Sequence, residues 1–357
     1  MHLRGCQCGS PNGRFSVVVD KAIIRGENNM PRIGMNPSRG QSTDYKPAKV
    51  SLVMLTYIPN DVGYFEKRFE VMRASLESYI QNTGMPHDLI VFDNNSNEKV
   101  VNYLKDMRDS GKIDYLILSS RNIGKMGALQ IAFRAAPGEI IAYSDDDVFF
   151  MPGWLERHLE ILETYPKVGM VTGLYIRPHM KEGIGSVLRF AEQEGVQARR
   201  GDLVSKDLQL HYINNTGRTW EQYEKETKGL EDIVLTYKGV DALASAGHYQ
   251  FVTRKEVILQ ALPGIWQNQL MGKMRELDLQ VDLMGYLRLC THPATIRLLG
   301  NVIDGEMAHQ LEQFGISINP DEVEPQPAKP KVPITRFPLV KRVAYFLYNR
   351  LFKIINS

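Results

Sequence analysis

Two kinds of apolar pattern alternate along the chain. At 50–57 the run VSLVMLTY is apolar almost throughout, as in a strand covered on both faces. Phe65, Phe69, Met72, Leu76 and Ile80 then recur at helical spacing, and Gly84 ends the helix. DLIVFDNNS, from position 88, reads as a second buried strand. Ser96 is the expected cap of the helix that follows, whose apolar positions Val100, Tyr103, Leu104 and Met107 lead to Gly111. DYLILSS is a third strand, GKMGALQIAFRAA a helix, GEIIAYS a fourth strand, 152–165 a helix and VGMVTG a fifth strand. Strands and helices alternating this regularly predict an α/β fold, a mostly parallel sheet with helices on both faces.

The rhythm breaks after Tyr175. Residues 176–240 are polar, with isolated aromatics such as Tyr212, Trp220 and Tyr237, and read as an insertion or variable loop region. Apolar pattern returns at ALASAGHYQFVTRKEVI and continues through LDLQVDLMGYLRLC to TIRLLGN. Residues 1–47, rich in Gly, Asn, Pro, Ser and Arg, read as irregular. Six prolines between 319 and 338 make a linker composition. The last stretch, 339–357, reads as a basic amphipathic helix.

Composition narrows the classes. The 357 residues allow one large α/β domain with appendages or two modest domains, and a net charge of +2 argues against nucleic acid as a partner. Three cysteines, Cys6, Cys8 and Cys290, make no disulfide framework, so a reducing compartment is expected. No stretch reaches the roughly 18–20 apolar residues of a membrane span, and the N-terminus carries no apolar leader core. The expected location is therefore cytoplasmic, with peripheral attachment to the inner face of the cell membrane through the tail.

The chemistry gathers at predicted strand ends. AYSDDDVFFMPGW, from 142 to 154, sets Asp145, Asp146 and Asp147 directly after the fourth strand and before a helix start. Thr56 and Tyr57 end the first strand, and Asp93, Asn94 and Asn95 end the second. Ligands of an open parallel sheet bind beyond the C-terminal ends of its strands, so these clusters form one candidate site. Asp and Asn are hard oxygen ligands suited to Mg²⁺ or Mn²⁺, which often also take substrate phosphate oxygens. No glycine-rich phosphate loop follows these strands. The plainer reading of an Asp run is a solvated turn.

With those residues in view, 49–156 resembles a family 2 glycosyltransferase of the GT-A fold. VSLVMLTYIP resembles the family's first strand, IVFDNNSNEKV its second, SSRNIGKMGALQIAF its Asn-x-Gly segment and SDDDVFFMPGWLE its Asp-x-Asp motif with the helix after it. The likeness loosens over 177–240, recovers at 241–301, and does not extend to the first 47 residues or the tail. It implies a transferase moving a sugar from a nucleotide-diphosphate donor to an acceptor hydroxyl, inverting and metal-dependent, in envelope polysaccharide or glycolipid synthesis. Thr56, Tyr57 and Pro59 would line the base pocket, with Asp93 or Asn94 bonding the base. Asn122, Gly124 and Lys125 would border ribose and diphosphate. Asp147 would bind Mn²⁺ or Mg²⁺, and Asp145 and Asp146 would hold the ribose or complete the coordination. On this reading 48–175 is the nucleotide-sugar-binding half and 241–318 the acceptor half.

The family's carboxylate base falls in GKMRELDLQVDL, where Asp278 is the first choice and Glu276 the second, ahead of Asp282. His248, in SAGHYQF, would touch the diphosphate or the acceptor. Many members carry a further His in the last block, and Leu298 stands there in this chain. The expected partners are the donor and a saccharide or lipid-linked acceptor. The tail from Lys329 holds seven Lys or Arg and no acid, and its apolar face would lie on a membrane surface, on its own domain or on a second subunit of a homo-oligomer. The competing reading is a non-catalytic nucleotide-sugar or carbohydrate-binding protein with a degenerate transferase fold.

Overall fold

A computed structural model describes residues 34, 36, 38–264, 269–303, 305–313 and 316. The expected linker at 319–338, the helix at 339–357, Cys6 and Cys8 lie outside the described residues. The chain divides into two units, Met1–Lys46 and Pro47–Ser357. In the first, the described residues are exposed and include a turn at 38–40.

The second unit begins with the predicted alternation: β1 (Val50–Thr56), α1 (Arg68–Gln81), β2 (His87–Asp93), α2 (Glu98–Asp109), β3 (Tyr115–Leu118), α3 (Lys125–Ala135) and β4 (Ile140–Asp145). It continues through β5 (Val148–Phe150), α4 (Trp154–Thr164), β6 (Val168–Thr172), α5 (Gly185–Ala191), β7 (Val196–Gly201), α6 (Lys206–Asn215) and α7 (Trp220–Thr227). β8 (Asp232–Tyr237), β9 (Val240–Ala244), β10 (Gln250–Arg254), α8 (Lys255–Ala261), α9 (Met274–Leu283), β11 (Leu287–Thr291), β12 (Ile296–Leu298) and α10 (Gly305–Gln313) complete it. The cap of α2 is Asn97, whose side chain accepts from the Val100 N–H. Ser96, expected there, instead accepts from the Ile58 N–H at 2.9 Å and ties the loops after β1 and β2 together.

The large sheet has the order β3-β2-β1-β4-β10-β6-β11-β9-β8-β7. β3, β2, β1 and β4 are mutually parallel, and β6 is parallel to β11. β10 runs against both β4 and β6, so the sheet is mixed though most strands point one way. Alternate residues of the central strands enter different cores. Leu52, Met54, Leu89 and Val91 pack with Met72, Leu76, Leu104 and Trp154 of α1, α2 and α4. Val53, Leu55, Ile90 and Phe92 pack with Leu129, Phe133, Ile258 and Leu277 of α3, α8 and α9. Both faces being dry, most positions are apolar and these strands read as nearly unbroken runs, while a buried exception such as Ser51 is satisfied by the Gly138 N–H.

The stretch 176–240, expected as an insertion or variable loop region, carries its own helices and strands. β8 and β9 form a hairpin on the sheet, and β7 is the edge strand, with the middle of its run exposed. Its anchor is a buried fork: Arg177 Nε and Nη2 each donate at 2.7 Å to a different oxygen of fully buried Asp232, which also accepts from the Leu203 and Val204 N–H groups. Tyr212, Ile213 and Tyr223, with Trp220 against them, make a small satellite core.

Candidate functional site

Strand register builds the site. Thr56 pairs with Asp93 and Leu55 with Asp145, so the ends of β1, β2 and β4 lie side by side, neighbouring strands being about 4.8 Å apart. The Asn94 N–H donates to the Thr56 carbonyl, and Asn95 turns the chain at φ 76°. Asp93 is buried and accepts from the Ser96 N–H. Burial raises its pKa, the bonds from Ser96 and Asn95 oppose that, and the charge of Asp146 adds to it. Tyr57 and Pro59 are half-buried at the same edge, with Tyr57 edge-on to Phe65.

Asn94 and Asn122 organise the next loop. Asn122 Oδ1 accepts from Asn94 Nδ2 at 2.9 Å and from the Gly124 N–H at 2.8 Å, while Asn94 Oδ1 accepts from the Ile123 N–H. Gly124, at φ 78° and ψ 155°, adopts a conformation open essentially to glycine alone, and a Cβ there would lie 2.6 Å from the Gln269 carbonyl oxygen. This turn delivers Lys125 at the start of α3, and its Nζ donates to Asp145 Oδ2 at 2.6 Å.

The acidic triplet is already compensated in part. Asp145 gives its other oxygen to the Tyr143 hydroxyl. Asp146, with a side chain 9% exposed, accepts from Thr56 Oγ1 at 2.6 Å and from Arg68 Nη2. Arg68 Nη1 donates to Asp147 Oδ2 at 3.2 Å and to the Gly300 carbonyl at 2.9 Å. Arg68 is buried, which taken alone would lower its pKa, but Asp146 and Asp147 hold the guanidinium well above its ordinary value. Asp147 is raised by burial, with Arg68 opposing and Asp145 and Asp146 reinforcing. Sequence reasoning did not single out Arg68, because only the packing of α1 against β5 brings it to residues 78 and 79 positions away.

The position of Leu298 also resolves. β12 pairs with β5, Leu298 opposite Val148, and the Leu299 N–H donates to the Asp147 carbonyl at 2.8 Å. Leu298 thus stands beside the triplet, its side chain against the satellite core. Its N–H is taken at 3.0 Å by Nε2 of His211, a histidine of α6 in the 176–240 stretch.

Of the candidate bases, Glu276 is exposed and paired with Lys273 at 2.7 Å, and Asp282 caps α5 through the Gly185 and Ser186 N–H groups. Asp278 is buried, its Oδ2 2.7 Å from His248 Nδ1 and 3.6 Å from Arg288 Nη2. His248 is tied to the triplet through the backbone, since the Asp145 N–H donates to the Tyr249 carbonyl at 2.8 Å.

A divalent ion fits only narrowly. Among the described residues no group of three or more His, Cys, Asp and Glu is gathered to hold one. Both oxygens of Asp145 and of Asp146 already accept hydrogen bonds, so either residue would ligate an ion only while sharing or giving up one of them. Asp147 gives Oδ2 to Arg68 and keeps a side chain 32% exposed. One hard carboxylate suits an ion shared with phosphate oxygens rather than one caged by protein.

Residues 64–219 match the family model described as glycosyl transferase family 2. An uncharacterised glycosyltransferase of Nostoc sp. is 24% identical over 172 residues, 48% of this chain and 47% of the relative. The uncharacterised glycosyltransferase YwdF of Bacillus subtilis is 31% identical over 116 residues, 32% of this chain and 39% of the relative. The matches thus span less than half the length of these relatives. Among solved structures, residues 1–349 of S. aureus TarS align with TM-score 0.40 and 13% identity over 70% of this chain and 60% of that one. The mannosyltransferase PcManGT of Pyrobaculum calidifontis, in complex with GDP-Man and Mn²⁺, aligns with TM-score 0.40 and 17% identity over 70% and 56%.

Proposed function

We propose, from the match of residues 64–219 to the glycosyl transferase family 2 model, that the chain transfers a sugar from a nucleoside-diphosphate donor to an acceptor hydroxyl, with inversion at the anomeric carbon. The observation that carries this reading is the shared edge of β1, β2 and β4, where Thr56, Asp93 and the Asp145–Asp147 triplet meet with two fixed cations. Tyr57, Pro59, Asp93 and Asn94 would receive the base. Asn122 and Gly124 would shape the ribose side, with Lys125 beside the diphosphate. A helix start with a lysine favours anions, although the Lys125 N–H itself goes to the Leu270 carbonyl.

Asp147 would hold Mn²⁺ or Mg²⁺ together with donor oxygens, and the ion when bound would offset charge developing on the departing diphosphate. Arg68 would keep Asp147 in place before the donor arrives, which lowers the reorganisation needed during reaction. The acceptor, a saccharide or a lipid-linked saccharide, would approach from the His248–Asp278 side. A thermal-shift screen of UDP-, GDP- and dTDP-sugars with and without Mn²⁺ tests the reading, since a ligand of the folded state raises its melting temperature. The proposal expects one nucleotide series to stabilise the chain. Stabilisation by free saccharides alone would favour a binding protein instead.

A further inference from the structure

On the transferase reading above, we propose that His248 takes the acceptor's proton and that Asp278, the carboxylate favoured from the sequence, is a positioning residue behind it. Asp278 cannot easily do the work directly. Its side chain is 9% exposed, Oδ2 faces His248 and Arg288, and Oδ1 is buried with no hydrogen-bond partner. Direct proton transfer needs a heavy-atom approach of about 2.6–3.2 Å, and of the two Asp278 oxygens one is taken by His248 and the other is buried. The imidazole of His248 is 23% exposed. A carboxylate 2.7 Å from Nδ1 keeps the ring proton on that nitrogen and leaves the lone pair on Nε2, the orienting role an acid plays behind a catalytic histidine.

The loop carrying His248 is fixed at some cost. Ser245 has φ 79°, in the left-handed region that a non-glycine residue seldom occupies. It is held there by its N–H donating to the Arg288 carbonyl at 2.8 Å and by its hydroxyl donating to the His179 carbonyl at 3.1 Å. Gly247 lets the loop close on His179, since a Cβ there would lie 2.6 Å from His179 Cε1. The rings of His179 and His248 stack at 6.3 Å and 25°. Strain that the surroundings hold in place at such a point marks a position kept for function. His179 is itself pushed down to about 4, by burial first and then by neighbours of which Asp278 alone opposes the change, so it stays neutral beside His248.

In the proposed step the acceptor oxygen attacks the anomeric carbon. A new C–O bond forms while the bond from that carbon to the diphosphate oxygen breaks, and its electron pair leaves with the nucleoside diphosphate. The acceptor proton passes to His248 Nε2. Asp278 compensates the resulting imidazolium through Nδ1–H, and the proton is later released to water.

The test compares the wild-type chain with H248Q, D278N and D278E. Donor turnover is read as nucleoside diphosphate released from UDP- and GDP-sugars, and nucleotide affinity as the UDP- or GDP-induced thermal shift. The titratable groups recorded against His248 are Asp278, 2.7 Å from Nδ1 and itself 3.6 Å from Arg288, and His179, whose ring centroid lies 6.3 Å away. H248Q is expected to lose on the order of a hundredfold or more in kcat, with KM and nucleotide affinity little changed. D278N should lower kcat with KM little changed, and D278E should restore most of the rate. Histidine-selective nitrogen spectra, which need no substrate, should place the His248 proton on Nδ1. H248Q turning over near the wild-type rate while D278N is inactive would make Asp278 the base and overturn the proposal, as would a proton found on Nε2. H248N replaces H248Q if the latter does not fold. A wild-type chain that turns over no donor overturns the transferase reading itself, which that result alone would signal.

Discussion

Arg68 Nη1 lies 3.2 Å from Asp147 Oδ2, and the same guanidinium bonds Asp146, so one buried cation serves two neighbouring carboxylates. Three adjacent aspartates at the end of a covered strand repel one another. Arg68 and Lys125 offset two of the three charges before any ligand arrives. Replacing Arg68 by Gln leaves a buried carboxylate uncompensated, for which a loss of about 3–5 kcal/mol is expected. Urea unfolding of R68Q against wild type measures it, and a loss under 1 kcal/mol would mean that solvent already compensates Asp146.

Gly124 sets where Lys125 points. A methyl group there meets the Gln269 carbonyl and a backbone conformation costing about 1–3 kcal/mol for other residues. G124A should melt lower and bind nucleoside diphosphate more weakly, because Lys125 shifts away from Asp145. Calorimetric titration checks it, and unchanged affinity would remove Lys125 from the donor site.

His158 makes the fold sensitive to acid. It is fully buried, bonded to the Trp154 carbonyl and close to Gln250, and burial pushes its pKa down to about 4. The unfolded chain takes up the proton near 6.5, so the folded state loses stability as pH falls from about 6.5 to about 4, by up to roughly 3 kcal/mol, and gains nothing further above that range. Denaturation midpoints of wild type and H158N across pH 4–8 should diverge in slope over this window, with H158N the flatter.

With only Asp147 presenting an unengaged side, ion uptake should depend on nucleotide. Mn²⁺ resonance spectra are expected to show little bound ion in the chain alone and clear binding once a nucleoside diphosphate is added, an effect that D147N abolishes. Tight Mn²⁺ binding without nucleotide would contradict the single-carboxylate description.

Much of this site was legible in the sequence because it sits at the ends of strands covered on both faces. Runs such as VSLVMLT and DLIVF announce themselves, and their register then fixes Thr56, Asp93 and Asp145 as neighbours. Arg68 was not legible, since a single charged residue at a helix start carries no local signal and gains meaning only from contacts 78 and 79 positions away. Within 176–240, read as an insertion or variable loop region, the elements were not distinguished. The exposed edge strand β7 offers only the short alternation Val196-Gln197-Ala198-Arg199, although Ile233-Val234-Leu235 of β8 is an apolar run that the sequence does contain. Asp278 is singled out by the sequence as the candidate base, but its contacts with Arg288 and His248 depend on β11 and the β9–β10 loop meeting α9, which spacing along the chain does not encode.

The most direct test of sugar transfer is donor cleavage followed in wild type and D147N side by side, with UDP- and GDP-sugars, Mn²⁺ and a saccharide acceptor panel. Wild type is expected to release nucleoside diphosphate together with a glycosylated product, and D147N to fall by on the order of a hundredfold or more. Equal rates in the two proteins, or no release by wild type from any donor it binds, would contradict the account.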